Sequence, residues 1–388
     1  MRIKRLAEDF KIEELVELPD EDGAYAYYRV EKHDKPAGIV RDGLAKRLKV
    51  TSSSVTFLST KGKGAFVTQY ASVRKRGPEM IEGDGFKAEL VSRGSRALRD
   101  TDLQGHHFSI VVRDLDAQQA GRLGALLHTI ATVGLPNYFD MARFGSYSEE
   151  GFIGKAILMR EAEHAVRLYL STSMAADSRD IRDFKHLVRT HWGQWGYLLH
   201  QAPRPSNFRS VLTFLKDHPQ EFRKALNLIQ DRMLFVYLEA FQAWLWNAIL
   251  GQYLEESEKS DVWLEIAGRR LPLPEALSSV SEDFELSLPN LTAVYPPEFA
   301  PVVEAVLAEN GMTSEDFKAR VLRRVYLPKG DRRIWFAPSE LEVQDPVPDE
   351  LFQDRWRVLL SFTLTPEHYA TLILKAAAAR LGVGLRGH

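Results

Sequence analysis

Two rhythms of apolar residues divide the chain. Up to about residue 145, short apolar or alternating runs trade places with helical spacing; from 151 to 258 the helical spacing is almost unbroken. Residues 25–30, aromatic and β-branched, predict a strand. Residues 37–48 predict an amphipathic helix with Ile39, Leu44 and Leu48 on its apolar side. Residues 53–58 and 66–73 predict strands on either side of a Lys-Gly turn, and 107–112 alternate as a further strand. Residues 117–133 predict a helix that Gly134 and Pro136 stop. The stretch 233–254 is nearly all apolar, yet Glu239, Gln242 and Asn247 interrupt it. Each costs free energy in lipid, so a buried helix is expected and not a membrane span. Short strands, prolines and one helix (301–310) mix from 262 to 338, before a last strand at 357–364 and a last helix at 366–381.

With 388 residues the chain is long enough for two domains with separate cores. A formal net charge of -2 excludes bulk attraction to polyanions, so any nucleic-acid contact depends on local basic patches. Such patches are Arg2, Lys4 and Arg5; Lys61, Lys63, Arg74, Lys75 and Arg76; Lys318, Arg320, Arg323 and Arg324; and Arg332 with Arg333. The absence of cysteine excludes disulfides and thiolate metal sites. There is no run resembling a signal peptide or a membrane span, and a cytoplasmic location is expected.

Familiar catalytic motifs are missing: no His-Glu-x-x-His, no nucleophile elbow, no dinucleotide fingerprint. His106 and His107 are neighbours on a strand and point to opposite faces, which prevents a shared metal. No metal or organic cofactor is expected. Two loops carry more information. In the first, Lys61, Gly62, Lys63 and Gly64 follow a predicted strand. Their backbone suits close approach to a phosphate, but the spacing is not that of a P-loop, and a plain hairpin turn fits equally. In the second, Asn137, Tyr138, Phe139, Asp140 and Arg143 fall within nine residues. Such a loop can stack a base on Phe139, read an edge with Asn137 and hold phosphate with Arg143. An aromatic-anchored loop with an Asp140–Arg143 pair is the plainer alternative. Trp192 and Trp195 offer rings for base stacking or for a core.

Over nearly its full length the chain resembles the TruD family of tRNA pseudouridine synthases. Glu8-Asp9-Phe10-Lys11-Ile12-Glu13-Glu14 resembles that family's opening Glu-Asp-Phe-x-Val-x-Glu, and Val30-Glu31-Lys32 its first motif. Residues 55–69 align without gaps with Gly-x-Lys-Asp-Lys/Arg-x-Ala-Val-Thr-x-Gln; 103–108 resemble Leu-x-Gly-Asn-x-Phe. Residues 135–145 resemble Asn-Tyr-Phe-Gly-x-Gln-Arg-Phe-Gly, and 364–371 the C-terminal Leu-Pro-x-Gly-Ser-Tyr/Phe-Ala-Thr. The resemblance implies an α+β fold: a pseudouridine-synthase core with a mixed β-sheet from 1–150 and 339–388, and a largely helical TruD-type insertion domain at 151–338. An RNA cleft is expected between them. It implies a structured RNA partner, tRNA in the family, and a monomer. Family roles fall on Lys32, Lys61, Lys63, Gln69, Asn137, Phe139 and Arg143 as RNA- or uridine-binding residues.

The departures from the family pattern cluster around the expected uridine pocket. Gly62 stands where the family has its catalytic aspartate, Gly64 where it has a further basic residue, Ala142 where it has glutamine, and His106 where it has asparagine. Glu367 and His368 replace the C-terminal Gly-Ser. Glycine supplies neither nucleophile nor base, so the ordinary isomerisation through position 62 is excluded. Asp140, where the family has glycine, is the one expected substitute carboxylate. Three readings follow: an RNA-recognition protein whose isomerisation is lost or altered, a synthase with a relocated carboxylate, and an interaction protein without RNA.

Overall fold

The computed structural model describes residues 1–19, 22–59, 65–174, 177–204, 206–281 and 283–387. Lys61, Gly62 and Lys63 lie outside the described residues. The chain forms two compact units, Met1–Leu135 with Phe336–His388, and Pro136–Trp335.

The first unit is built on a 10-stranded mixed sheet. In chain order its elements are β1 (Phe10–Val16), β2 (Tyr25–His33), α1 (Ala37–Leu48), β3 (Val55–Phe57), β4 (Phe66–Val73), β5 (Met80–Gly83), β6 (Phe86–Gly94), β7 (Leu103–Leu115) and α2 (Ala117–Val133). From the C-terminal part come β8 (Ser339–Val343), β9 (Val347–Pro348), β10 (Trp356–Leu364) and a last helix, Ala370–Arg380. The strand order is β8-β10-β7-β1-β4-β2-β6-β5, with β9 on β10 and β3 on β4. The pairing of β1 with β4 is parallel, while β1–β7, β2–β4 and β7–β10 are antiparallel.

One face of this sheet is covered by helices. Helix α1 buries Val40, Leu44, Ala45 and Leu48 against Tyr28, Val30, Ala71 and Val73. Its N-terminal Ile39, expected on the apolar side, is instead 56% exposed, because the buried stripe runs through 40, 44, 45 and 48. Helix α2 starts where the Asp116 carboxylate accepts the Gln119 N–H, and it ends at Gly134, whose φ of 78° suits glycine. The strand expected at 107–112 extends to thirteen residues, since its flanks pair with β1 and β10.

The second unit is mostly helical. It contains α3 (Ile153–Leu158), α4 (Ala162–Ser171), α5 (Arg179–Thr190), α6 (Trp195–Gln201), α7 (Phe208–Asp217), α8 (Phe222–Leu226), α9 (Asp231–Ser257) and α10 (Ala300–Glu309), with short two-stranded pairings between 263 and 333. Helix α9 is apolar and long enough to cross a membrane, but 72% of its most apolar window is buried within the protein. It is the core of this unit. Gly154 lets α3 cross it closely, for a Cβ there would lie 2.2 Å from the Tyr237 carbonyl oxygen. The sequence placed a boundary near 150, whereas the units divide at Leu135/Pro136. Ring packing accounts for the difference: Phe139 meets Trp246, and Phe152 meets Phe144, Phe241 and Trp244, which ties 137–152 to α9.

The first unit draws its strands from both parts of the chain, and Arg113 on β7 joins them. Its guanidinium, 3% exposed, donates from Nε and Nη2 to Asp9 beside β1 and from Nη1 to Asp349 beside β9, all at 2.8–3.0 Å. Both carboxylates also accept backbone N–H groups, Asp9 from Arg5 and Leu6, Asp349 from Asp114 and Leu351. Half-exposed Glu350 adds a contact to Arg113 at 3.0 Å. Replacing Arg113 by Met leaves two carboxylates buried without their counter-charge. Denaturant unfolding should register a loss of about 3–5 kcal/mol, against under about 1 kcal/mol for Arg29→Met in the half-exposed Arg29–Glu31 pair. Equal, small losses would mean the cluster is dispensable. The Arg113 hydrogen bond holds the Glu350 carboxyl at about 2, below its ordinary 4.5. A depressed carboxylate stabilises the fold above its unfolded value, and that contribution fades as pH falls from about 4.5 toward about 2. The Glu350→Gln variant should therefore lose less stability than the wild type across that window; parallel curves would sink the assignment.

Candidate functional site

Buried polar residues gather in both units. In the first, strand register sets their placement. Directly paired residues share a face and alternate residues return to it. The pairs Val30↔Gln69, Lys32↔Val67, Ile12↔Val67 and Glu14↔His106 therefore put Glu14, Lys32, Gln69 and His106 on one face, the face that α1 covers. All four are 2% exposed or less. Glu14 accepts the Tyr70 N–H at 2.7 Å and the hydroxyl of Ser59 at 2.5 Å. Ser59 lies two residues before Lys61. Burial pushes the Lys32 ammonium below its ordinary value, and the nearby Glu14 carboxylate opposes that shift.

Gln69 differs from its neighbours. It is fully buried, yet among the described residues neither its Oε1 nor its Nε2 has a hydrogen-bond partner. An unmade bond on a buried amide costs about 1–3 kcal/mol, so such a group calls for a ligand or a functional reason. The side chain offers one donor and one acceptor edge on the same face as a buried lysine.

In the second unit, the loop after residue 136 is held from two sides. Asn137 donates its N–H to Ile334 and its Nδ2 to the Arg333 carbonyl. Arg332 donates from Nε to the Asn137 carbonyl at 3.0 Å and from Nη2 to its Oδ1 at 2.6 Å. The guanidinium of Arg332 lies 4.1 Å from the Phe139 ring centroid and 5.5 Å from that of Trp246. From α9, Asn247 brackets the Phe139 backbone, accepting its N–H and donating to its carbonyl, both at 2.8 Å.

These contacts correct several expectations. Asn137, expected to read a base edge, is fully buried and spends its side chain on the 332–333 strand. Phe139, expected as an open stacking platform, is 7% exposed with Arg332 over its ring. Arg332, grouped with a solvent-facing basic patch, is 6% exposed. The alternation of exposed Asp331 and Arg333 around it carried the signal that it points inward. Arg143 reaches Glu239 on α9 at 2.8 Å. The Asp140 carboxylate is 2% exposed and accepts the Met141 N–H, capping a short turn, Met141–Arg143. Trp195 is buried and Trp192 stacks on Phe222, so their ring faces serve the fold. Lys61 and Lys63 lie outside the described residues. Among the described residues, no group of three or more His, Asp or Glu side chains is placed to hold a metal ion.

Arg332→Lys keeps the charge but loses the planar fork that spans the Asn137 carbonyl and amide. We expect a loss of about 1–3 kcal/mol and faster amide exchange at Asn137 and Phe139. Unchanged exchange would mean that the Asn247 bracket alone orders the loop.

Comparison with known proteins bears on both units. The family model of tRNA pseudouridine synthase D (TruD) matches residues 1–273. The tRNA pseudouridine synthase D of Aquifex aeolicus is 26% identical over 97% of this chain and 97% of its own. That of a Geobacter species is 30% identical over 67% of this chain and 66% of its own. A crystal structure of a TruD chain from Methanosarcina mazei superposes with a TM-score of 0.71 at 20% identity, covering 97% of this chain and 92% of the other. The large mixed sheet with its helices is thus the α+β fold of that structure. By the extent of the model match and the near end-to-end similarity to its members, this chain belongs to the tRNA pseudouridine synthase D (TruD) family.

Proposed function

We propose that the protein binds structured RNA, tRNA on the precedent of its relatives' names, and presents a uridine to the face carrying Gln69 and Lys32. The buried, unsatisfied Gln69 amide carries this reading. A uracil edge offers a carbonyl beside an N–H, the complement of an amide's NH2 and carbonyl. Lys61 and Lys63 add phosphate contacts, while Asn137, Phe139 and Arg143 order a loop of the second unit. In this reading the protein acts as a monomer in the cytoplasm.

The ordinary isomerisation is lost or altered, because Gly62 stands in the family's aspartate position. Pseudouridine formation breaks an N-glycosidic bond and forms a C–C bond at the same sugar carbon. A positioned base contributes about 10²–10⁴-fold, and glycine cannot serve as a nucleophile. The reading with a relocated carboxylate rests on Asp140, buried next to Phe139. Its bond to the Met141 N–H weighs against it, since that carboxylate already has structural work.

Two measurements test this. Filter binding of tRNA transcripts across salt concentrations should give a negative log–log slope, which Lys61→Ala with Lys63→Ala flattens by about 1–2. A slope untouched by the double variant would place the RNA elsewhere. Gln69→Leu should weaken RNA binding while raising stability by about 1 kcal/mol, since it removes an unpaired buried amide; a destabilised variant would show that the amide is satisfied and structural. In a pseudouridine-formation assay on the same transcripts, no product from wild type with binding intact is the expected result. Product from wild type but not from Asp140→Asn would establish the relocated carboxylate instead.

A further inference from the structure

The helical unit has a cavity of its own, open to solvent on one side and about 400 Å³ in volume, lined by Tyr169, Asp177, Lys185, Ser206, Phe208 and Tyr237 among others. That volume lies within the range of small-molecule sites, about 300–1,000 Å³. The polar groups on its wall are buried and incompletely used. The Lys185 side chain is 3% exposed and donates to Asp177 Oδ2 at 2.8 Å. The Met174 N–H donates to that same oxygen at 2.7 Å, and among the described residues Oδ1 accepts no hydrogen bond. Tyr237 is 1% exposed, and its hydroxyl makes no hydrogen bond among the described residues. The Ser206 hydroxyl is likewise buried without a partner. Aromatic walls complete the site. Phe208 stacks on Phe184 at 5.5 Å, meets Tyr169 edge-on, and has the Lys185 ammonium 5.7 Å from its centroid.

These features select the chemistry of an occupant. Asp177 neutralises Lys185, so a phosphate or carboxylate gains no net charge attraction and would face a carboxylate oxygen. An alkyl chain would leave the buried Ser206 hydroxyl unpaired and make no use of Asp177 or the Tyr237 hydroxyl. A flat, neutral ring bearing an N–H beside a carbonyl satisfies them while stacking on the aromatic wall. We propose that this cavity is a nucleobase site favouring keto bases, uracil or guanine. The ring N–H donates to Asp177 Oδ1, the adjacent carbonyl accepts from Lys185 or Tyr237, and the ring lies along Phe208. The base comes either from a free nucleoside or from an RNA strand that turns it outward. The first source is independent of the RNA-binding reading above, and the second rests on it.

The test uses the full chain with uridine, guanosine, 3-methyluridine, free 4-thiouridine and an RNA hairpin carrying one unpaired 4-thiouridine. Saturation-transfer NMR should detect uridine. Binding should weaken about 5- to 10-fold in Tyr237→Phe, which removes only the hydroxyl, and at least as much for 3-methyluridine, which lacks the N–H donor. Near-ultraviolet crosslinking of 4-thiouridine should label peptides containing residues 169–177, 206–208 or 233–237. Labelling by the free nucleoside assigns the first source, and labelling by the hairpin alone assigns the second. No labelling of these peptides from either probe, or binding indifferent to both Tyr237→Phe and N3-methylation, overturns the proposal. Gln69→Leu separates the two sites: it should impair tRNA binding and leave the nucleoside affinity of this cavity unchanged. Loss of both would overturn an independent site here.

Discussion

The fold of the first unit depends on one buried guanidinium. Its sheet takes β1 from the start of the chain and β9 and β10 from near the end, with β7 between β1 and β10. Backbone pairing alone does not specify which strands from so far apart in sequence come together, since a ladder is much the same anywhere. Arg113 supplies the specificity through one planar fork that meets Asp9 and Asp349, each also bound to backbone N–H groups. A buried ion pair gains little over apolar packing in net stability, but a mispaired arrangement would strand three charges in low dielectric. The cluster therefore discriminates against wrong assemblies more than it deepens the right one. The cost of breaking it is large for the same reason.

In the second unit the same logic operates with neutral groups. The segment 137–144 has little regular structure, so its backbone polar groups need partners from elsewhere. Asn137 and Asn247 provide them, one facing the 332–334 strand and the other reaching from α9. Arg332 ties these supports together by bonding Asn137 while covering the Phe139 ring. A loop so held keeps one conformation without being part of a sheet or helix, which is what a recognition element built on a rigid scaffold requires. The price is that side chains with recognition chemistry are consumed in holding it.

That substitution of roles explains where the sequence misleads. Elements with long apolar periodicity are legible: the strands expected at 25–30 and 66–73 and the helices expected at 37–48, 117–133 and 233–254 are present, two of them longer at 25–33 and 231–257. The linked motifs made the family legible as well. What spacing cannot report is whether a polar side chain inside a loop faces a ligand or another loop. Asn137 and Arg332 lie 195 positions apart, and no local pattern in either segment announces their bond. Ile39 was misplaced for a smaller reason: a residue in the first turn of a helix can sit beside the apolar stripe and still be outside it. Arg332, by contrast, was recoverable from the strand alternation around it.

The contrast between Asn137 and Gln69 separates scaffold from site better than polarity or burial alone. Both are amides with no exposed surface. Asn137 has its oxygen and nitrogen bonded, and its burial is offset within the fold. Gln69 has neither bonded among the described residues, and its burial is a cost that a bound partner would offset. The same distinction holds inside the helical unit, where Gln242 gives both its amide hydrogens to backbone carbonyls while the buried Ser206 hydroxyl has no partner among the described residues. Folding free energy selects for the first kind of residue and against the second. A chain that retains the second kind in both its units therefore carries, in each, a polar group that folding by itself does not account for.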